Sequence, residues 1–104
     1  MKTEFEVLVV LRGGRKPLER FYLQGELSDV LIEATKKMRS LGARVAEARN
    51  LPKFRGSPSL LLSSPGFPLG VVISGAQLTD AEGIPLKGEE ATTGLSALIS
   101  SIIE

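Results

Sequence analysis

The sequence predicts a single α/β domain, built on a mixed β-sheet of four to five strands with helices packed on it. The chain has 104 residues, of which 42% are hydrophobic and 24% charged, and this suits one hydrophobic core. Short apolar runs typical of strands alternate with segments of helical periodicity. No internal repeat, low-complexity run or linker divides the chain, so we assign residues 1–104 to one domain.

The first part of the chain predicts a central strand followed by an ambiguous segment. Residues 4–11 end in a continuous valine-rich apolar run, as in a strand that is buried on both faces. Glycine and proline in residues 12–17 then indicate a turn. Residues 19–24 fit a second strand, but an amphipathic helix that begins near Leu18 fits them as well.

A helix is predicted after this segment. Ser28 is a suitable N-cap, and Gly42 is a stop signal beyond the last apolar position. The apolar residues between them recur at helical spacing: Leu31, Ala34, Met38 and Leu41.

The second half predicts three short strands and a last helix. Alternation in residues 43–48 indicates a short strand, and residues 52–57 are predicted as loop. Residues 58–63 and 71–74 are apolar runs typical of strands. Residues 89–103 predict an amphipathic helix whose apolar face carries Leu95, Leu98, Ile99, Ile102 and Ile103. Strand, helix, three strands and helix form an α/β order, for which we expect a mixed sheet.

The composition excludes several kinds of catalysis, because the chain contains neither cysteine nor histidine. Dithiol redox chemistry, a cysteine nucleophile, a histidine base and a Cys/His zinc site all need the missing atoms. The carboxylate pairs at residues 4 and 6, 80 and 82, and 89 and 90 are better explained as solubilising charges than as an acid/base pair or a cation site. We therefore expect no catalytic residue, no cofactor and no metal, and we predict that the protein is not an enzyme.

Charge is distributed unevenly along the chain. Residues 1–55 hold twelve Lys/Arg and seven Asp/Glu, whereas residues 56–104 hold one lysine and five acidic residues. Such asymmetry keeps a protein soluble, steers a partner or favours self-association. The basic stretch from residue 36 to 55 leaves nucleic-acid or anion binding open as an alternative, although aromatic side chains for base stacking are nearly absent there. Gly13 and Gly14 lack the spacing of a phosphate-binding loop and indicate a turn.

No stretch of the chain has the eighteen or more consecutive apolar residues of a membrane span, and residues 2–6 do not resemble a signal peptide. We expect a cytoplasmic protein without membrane contact.

The second half also carries three short motifs that are similar to a known family: Pro58-Ser59 before an apolar strand, Ser64-Pro65-Gly66 in a turn, and Gly83-Ile84-Pro85-Leu86 before a Glu-rich helix start. Together they resemble the N-terminal domain of the flavoprotein subunit of alkyl hydroperoxide reductase, which is thioredoxin-like. The match covers about half of the chain, and the stretch before Gly83 is longer than the family pattern.

This resemblance implies a single thioredoxin-like domain in which Pro58 follows a cis peptide bond. It also implies that residues 15–18 stand where the family places its Cys-x-x-Cys motif, so the redox site is lost. In that family the domain contains two thioredoxin-like folds, and this chain resembles the one without cysteines. On this resemblance we expect no flavin- or nicotinamide-binding domain.

From these observations we expect a redox-inactive module that binds a protein or peptide and forms a homo-oligomer. A non-thiol enzyme subunit remains a further alternative. The resemblance implies that three loops meet at one end of the sheet and form the partner-binding surface: Arg15, Lys16 and Pro17; Ser57 and Pro58; and Gly83, Ile84 and Pro85.

Overall fold

The computed structural model describes residues 3–14, 16–43 and 47–77, together with Glu82 and Ile84. These residues form five strands and a helix in the order β1 (Thr3–Leu11), β2 (Pro17–Gly25), α1 (Leu27–Leu41), β3 (Glu47–Phe54), β4 (Ser57–Ser63) and β5 (Leu69–Ser74). The helix predicted over residues 89–103 lies outside the described residues.

The five strands form one sheet in the order β2-β1-β5-β4-β3, and every pair of neighbouring strands is antiparallel. The prediction of an α/β domain with a mixed sheet and several helices packed on it, in a thioredoxin-like arrangement, is therefore wrong for the described part of the chain, which is mostly β. Short turns join β1 to β2, β3 to β4 and β4 to β5. Because a short turn reverses the direction of the chain, each of these pairs is antiparallel. The helix α1 links β2 to β3, which are opposite edges of the sheet, so it creates no parallel pair.

The structure decides one open prediction and corrects another. Residues 19–24, for which strand and helix were both open, belong to strand β2. A loop was predicted over residues 52–57, but residues 52–54 lie in strand β3. A strand was predicted over residues 43–48, of which residues 44–46 lie outside the described residues. The predicted loop included Pro52, but proline is tolerated in an edge strand and at a bulge, and β3 is an edge strand whose register shifts between Leu51 and Phe54.

A bulge in β3 decides which face of the sheet Phe54 occupies. Leu51 pairs with Ser59 and Phe54 pairs with Ser57, so two residues of β3 stand opposite Pro58 alone. Because side chains alternate along a strand, the extra residue moves Phe54 to the same face as Leu51.

The helix α1 is confirmed, but its first residue differs from the prediction. Its N-cap is Glu26, whose backbone N–H donates to the Asp29 carboxylate at 3.4 Å, so the predicted cap Ser28 lies inside the first turn. At the other end Gly42 has φ 112°, and its N–H donates to the Arg39 carbonyl oxygen. The predicted glycine stop is therefore confirmed, with the left-handed backbone that glycine adopts without strain.

The helix covers one face of the sheet, which we call the helix face. Between the helix and this face lies the larger hydrophobic cluster. Its buried residues are Val7, Val9, Val30, Leu31, Ala34, Met38, Ala43, Ala48, Leu60, Leu62, Val71, Ile73 and Ala76. A second cluster lies on the other side, which we call the opposite face: Leu8, Val10, Phe54 and Val72 are buried there, with Leu51 and Leu61 packed against them. The strand β1 contributes to both clusters, so the predicted burial of this strand on both faces is confirmed.

The β3–β4 turn offers a test of backbone strain. Arg55 has φ 53° and Gly56 has φ 86°, so both turn residues are left-handed, as in type I′ turns, where asparagine is favoured at the first position. We expect Arg55→Asn to raise the free energy of unfolding by about 0.5–1 kcal/mol, measured by urea denaturation. The control Arg55→Lys keeps a long side chain, which cannot hydrogen-bond the adjacent backbone as the short asparagine amide does, and should not gain stability. Equal stability of the two variants would contradict this explanation.

Candidate functional site

The opposite face of the sheet contains a cavity of about 360 Å³. Its floor is apolar and includes Val10, Leu61 and Val72, with Phe54 at one side. Its rim carries charged side chains from the β1–β2 turn and from β3: Arg12, Glu47, Arg49 and Lys53. We call this site the basic cavity.

Strand register brings the floor residues together. Leu61 pairs with Val72 across β4 and β5, and Gly70 pairs with Val10 across β5 and β1. Gly70 therefore points to the same face as Val10 but has no side chain. A β-carbon built at Gly70 would lie 3.1 Å from Leu61 Cδ1, so the absence of this atom leaves part of the floor open.

The rim of the basic cavity carries an excess of positive charge. Among the residues that the structure describes, ion pairs join Arg20 to Glu6 at 3.5 Å, Lys36 to Glu33 at 3.4 Å and Lys37 to Glu19 at 2.8 Å. Arg12, Arg49 and Lys53 belong to none of these pairs. The cavity therefore has three cations against one carboxylate, that of Glu47.

The backbone of the β1–β2 turn holds Arg12 at this rim. The Arg12 N–H donates to the Pro68 carbonyl oxygen at 2.8 Å, and the Gly14 N–H donates to the Leu11 carbonyl oxygen at 2.7 Å. The first bond ties the turn to the segment before β5, so this side of the cavity has a defined position.

A second candidate site is the outer edge of β2. Pairing with β1 is uninterrupted from Glu19 to Gly25, and the register shift in this ladder lies at the end, between Val9 and Val10. Leu18 and Tyr22 on this strand are 58% and 54% exposed. Among the described residues, no further strand pairs with this edge.

Cross-strand contacts fix β2 to its inner neighbour. The Tyr22 hydroxyl donates to Glu6 Oε2 at 3.3 Å, and the Gln24 amide donates to Glu4 Oε2 at 3.3 Å. On the helix face, the Lys37 ammonium bonds Glu19 at 2.8 Å and lies 5.8 Å from the ring centre of Phe21. The edge is therefore a supported strand, with its outer backbone at the border of the sheet.

The structure does not bring the predicted partner-binding loops together. Pro17, next to the exposed Lys16, pairs with Val10, at the end of the sheet where β5 begins. The Pro58 carbonyl oxygen accepts a hydrogen bond from Gly75 N–H at 2.8 Å, just beyond the last residue of β5. Five residues of β5 separate the two ends, which is roughly 17 Å along the strand. A partner role for Lys16, Pro17, Ser57 and Pro58 stays a prediction.

The remaining predicted site residues are described only in part. The cis bond expected before Pro58 is wrong, since the described residues contain no cis peptide bond. Ile84 is 56% exposed, whereas Arg15, Gly83 and Pro85 lie outside the described residues. Residues 16–18 belong to the stretch where the resemblance places the Cys-x-x-Cys motif. In the structure they lead from β1 into β2.

The basic stretch from residue 36 to 55 is divided between the two faces of the sheet. Lys36 and Lys37 lie on α1 and pair with carboxylates, whereas Arg49 and Lys53 line the basic cavity on the opposite face. Sequence reasoning considered these residues as one patch and missed the cavity. Arg12, Arg49 and Gly70 line the same cavity only because of the strand register. The one sequence feature that could have indicated the cavity is Gly70, a glycine at the start of the apolar run of β5.

Comparison with known proteins supplies no relative: no family model, curated protein or solved structure matches this chain. The resemblance to the reductase domain is thus neither confirmed nor excluded by these comparisons. Within the described residues, no helix is long and apolar enough to cross a membrane.

Proposed function

We propose that this protein is a redox-inactive protein-binding domain that receives an extended segment of its partner along the edge of β2. The observation that carries this proposal is the uninterrupted edge from Glu19 to Gly25, beside the exposed side chains of Leu18 and Tyr22. In strand addition, main-chain hydrogen bonds supply affinity, and alternate side chains supply specificity. Such binding needs neither a thiol nor an imidazole.

The other edge of the sheet is less suited to this role. The strand β3 contains Pro52, which has no N–H to donate, and a register shift between Leu51 and Phe54. It also exposes Arg49 and Lys53. Proline and bulges are features with which proteins block pairing at sheet edges. Both edges expose charges, but β2 has its proline and its register shift only at its first residues, so these two features favour β2.

The partner that the chain itself supplies is a second copy. Two β2 strands that pair antiparallel about a twofold axis would meet near Tyr22 and join two sheets into one. The two Tyr22 side chains would then lie close to the axis and lose their exposure. A homodimer is therefore the first assembly to test. The proposal also keeps the cytoplasmic location that the sequence predicts.

Self-association through β2 predicts a dimer that a charge at Tyr22 prevents. We expect sedimentation equilibrium at micromolar concentration to give about twice the 11.1 kDa chain mass. The variant Tyr22→Lys should sediment as a monomer, because it places two ammonium groups close together at the axis. Ile84→Lys is the matched control, since Ile84 has similar exposure but is not on the strand.

Hydrogen exchange locates the interface independently of the variants. Backbone amides of β2 should gain protection as the protein concentration rises, while those of β3 should not. A protein that remains monomeric, or a dimer in which Tyr22→Lys and Ile84→Lys have equal effects, would reject self-association through β2.

A further inference from the structure

We propose that the basic cavity binds a small organic anion, with a compact apolar body and one carboxylate or phosphate group. This site is separate from the edge of β2 and does not depend on the function proposed above. The inference is based on the volume of the cavity, its apolar floor and the cations at its rim, which pair with no carboxylate of the described residues.

The size of the cavity favours a small molecule over a docked helix. Its volume of about 360 Å³ lies at the lower end of the range for small-molecule sites. One turn of an α-helix, about 10 Å across and 5.4 Å long, already occupies roughly 400 Å³. A ligand of the size of a phenyl ring with a short chain fits this space, and it would lie on Val10, Leu61 and Val72.

The rim determines the charge of the ligand. Arg12, Arg49 and Lys53 make no ion pair with any described residue, and among the described residues Glu47 supplies the one carboxylate at the rim. An anion therefore gains attraction from three cations that have no carboxylate partner in the described part of the chain. Arginine and lysine are also the side chains that bind carboxylate and phosphate groups.

The test uses probes that share one apolar body and differ in charge: 4-phenylbutyrate, 4-phenylbutanol and 4-phenylbutylamine. The full chain is titrated with each probe, and amide chemical shifts are recorded by NMR, with Gly13, Gly14 and Gly70 as reporters of the cavity. We expect saturable shifts with 4-phenylbutyrate, several-fold weaker binding of the alcohol, and the weakest binding of the amine. 4-Phenylbutyl phosphate, which has the same apolar body, is the second anion, and the tighter of the two anions identifies the preferred acid group.

Charge variants connect the affinity to the rim. We expect Arg49→Gln and Lys53→Gln each to weaken binding of 4-phenylbutyrate by about two- to fivefold, which is typical of a solvent-exposed charge pair. Lys36→Gln is the matched control, because Lys36 is exposed and lies on α1. Added salt should weaken binding of the anion but not of the alcohol.

A change in the floor tests the shape of the site. Gly70→Ala adds a methyl group within 3.1 Å of Leu61 Cδ1, so it should weaken binding of all the phenylbutyl probes. If this variant does not fold, the charge variants still decide the question.

Several results would overturn the proposal. These are equal affinity for 4-phenylbutyrate and 4-phenylbutanol, equal effects of Lys36→Gln and Arg49→Gln, or no shifts at millimolar probe. Nuclear Overhauser contacts between the cavity floor and residues 85–104 in the ligand-free chain would also overturn it, since they would show that the chain fills its own cavity.

Discussion

Replacing Leu60 with alanine is expected to lower the free energy of unfolding by about 3 kcal/mol. Leu60 is 0% exposed and belongs to the cluster between β4 and α1 on the helix face. Truncation loses the transfer free energy of the removed atoms and leaves a space that the surrounding residues fill only in part. Domains of this size have a total stability of about 5–15 kcal/mol, so the variant should lose a large share of it.

Thermal unfolding followed by circular dichroism checks this expectation. For a domain of this length, about 3 kcal/mol corresponds to a fall in Tm of more than 10 °C. Leu11→Ala is the matched control, because Leu11 is 52% exposed and its truncation should change stability by less than about 0.5 kcal/mol. Equal loss in the two variants would mean that Leu60 is not packed beneath α1 as described.

Replacing Val72 with lysine is expected to be more damaging still. Val72 is 0% exposed, lies on the central strand β5, and stands in register between Leu8 and Leu61 on the opposite face. Val72 also lines the basic cavity, so a lysine there must either displace the packed apolar residues around it or place its ammonium group in the cavity, beside the positive charges of Arg12, Arg49 and Lys53. Either outcome costs several kcal/mol, and we expect the variant to be largely unfolded at 37 °C.

The comparison variant for Val72→Lys is Tyr22→Lys. It introduces the same side chain into the same sheet at a position that is 54% exposed. Urea denaturation at a concentration where both proteins are monomeric should show a far larger loss for Val72→Lys. If the two variants were equally stable, the basic cavity would have to accept the introduced side chain without disturbing the apolar residues packed around Val72.

The amino-acid sequence by itself determined the local features of this protein. The spacing of Leu31, Ala34 and Met38, with Gly42 after them, predicts α1. This works because helix periodicity and the glycine C-cap depend only on residues that are close together in the sequence. The valine-rich run of β1 predicts burial on both faces for the same reason. The missing cysteine and histidine exclude thiol and imidazole chemistry whatever the fold.

Tertiary structure alone decided how these elements are arranged. Strand order and direction depend on which distant segments pair, and a strand's own pattern does not name its neighbour. Thus the order of the predicted elements led to a mixed sheet, whereas the short turns produce an antiparallel one in which α1 connects the two edges. The predicted contact of Lys16 and Pro17 with Ser57 and Pro58 is not present, because these residues lie at opposite ends of β5.

The candidate sites depend on tertiary structure in the same way. Pro52 was interpreted as a loop residue, but at an edge strand it is tolerated, and the bulge beside it turns Phe54 toward the basic cavity. Arg12, Arg49 and Gly70 are far apart in the chain, and only the register of four strands makes them neighbours. Periodicity reports what each residue faces within its own element, whereas the free energy that selects strand partners comes from packing across the whole sheet.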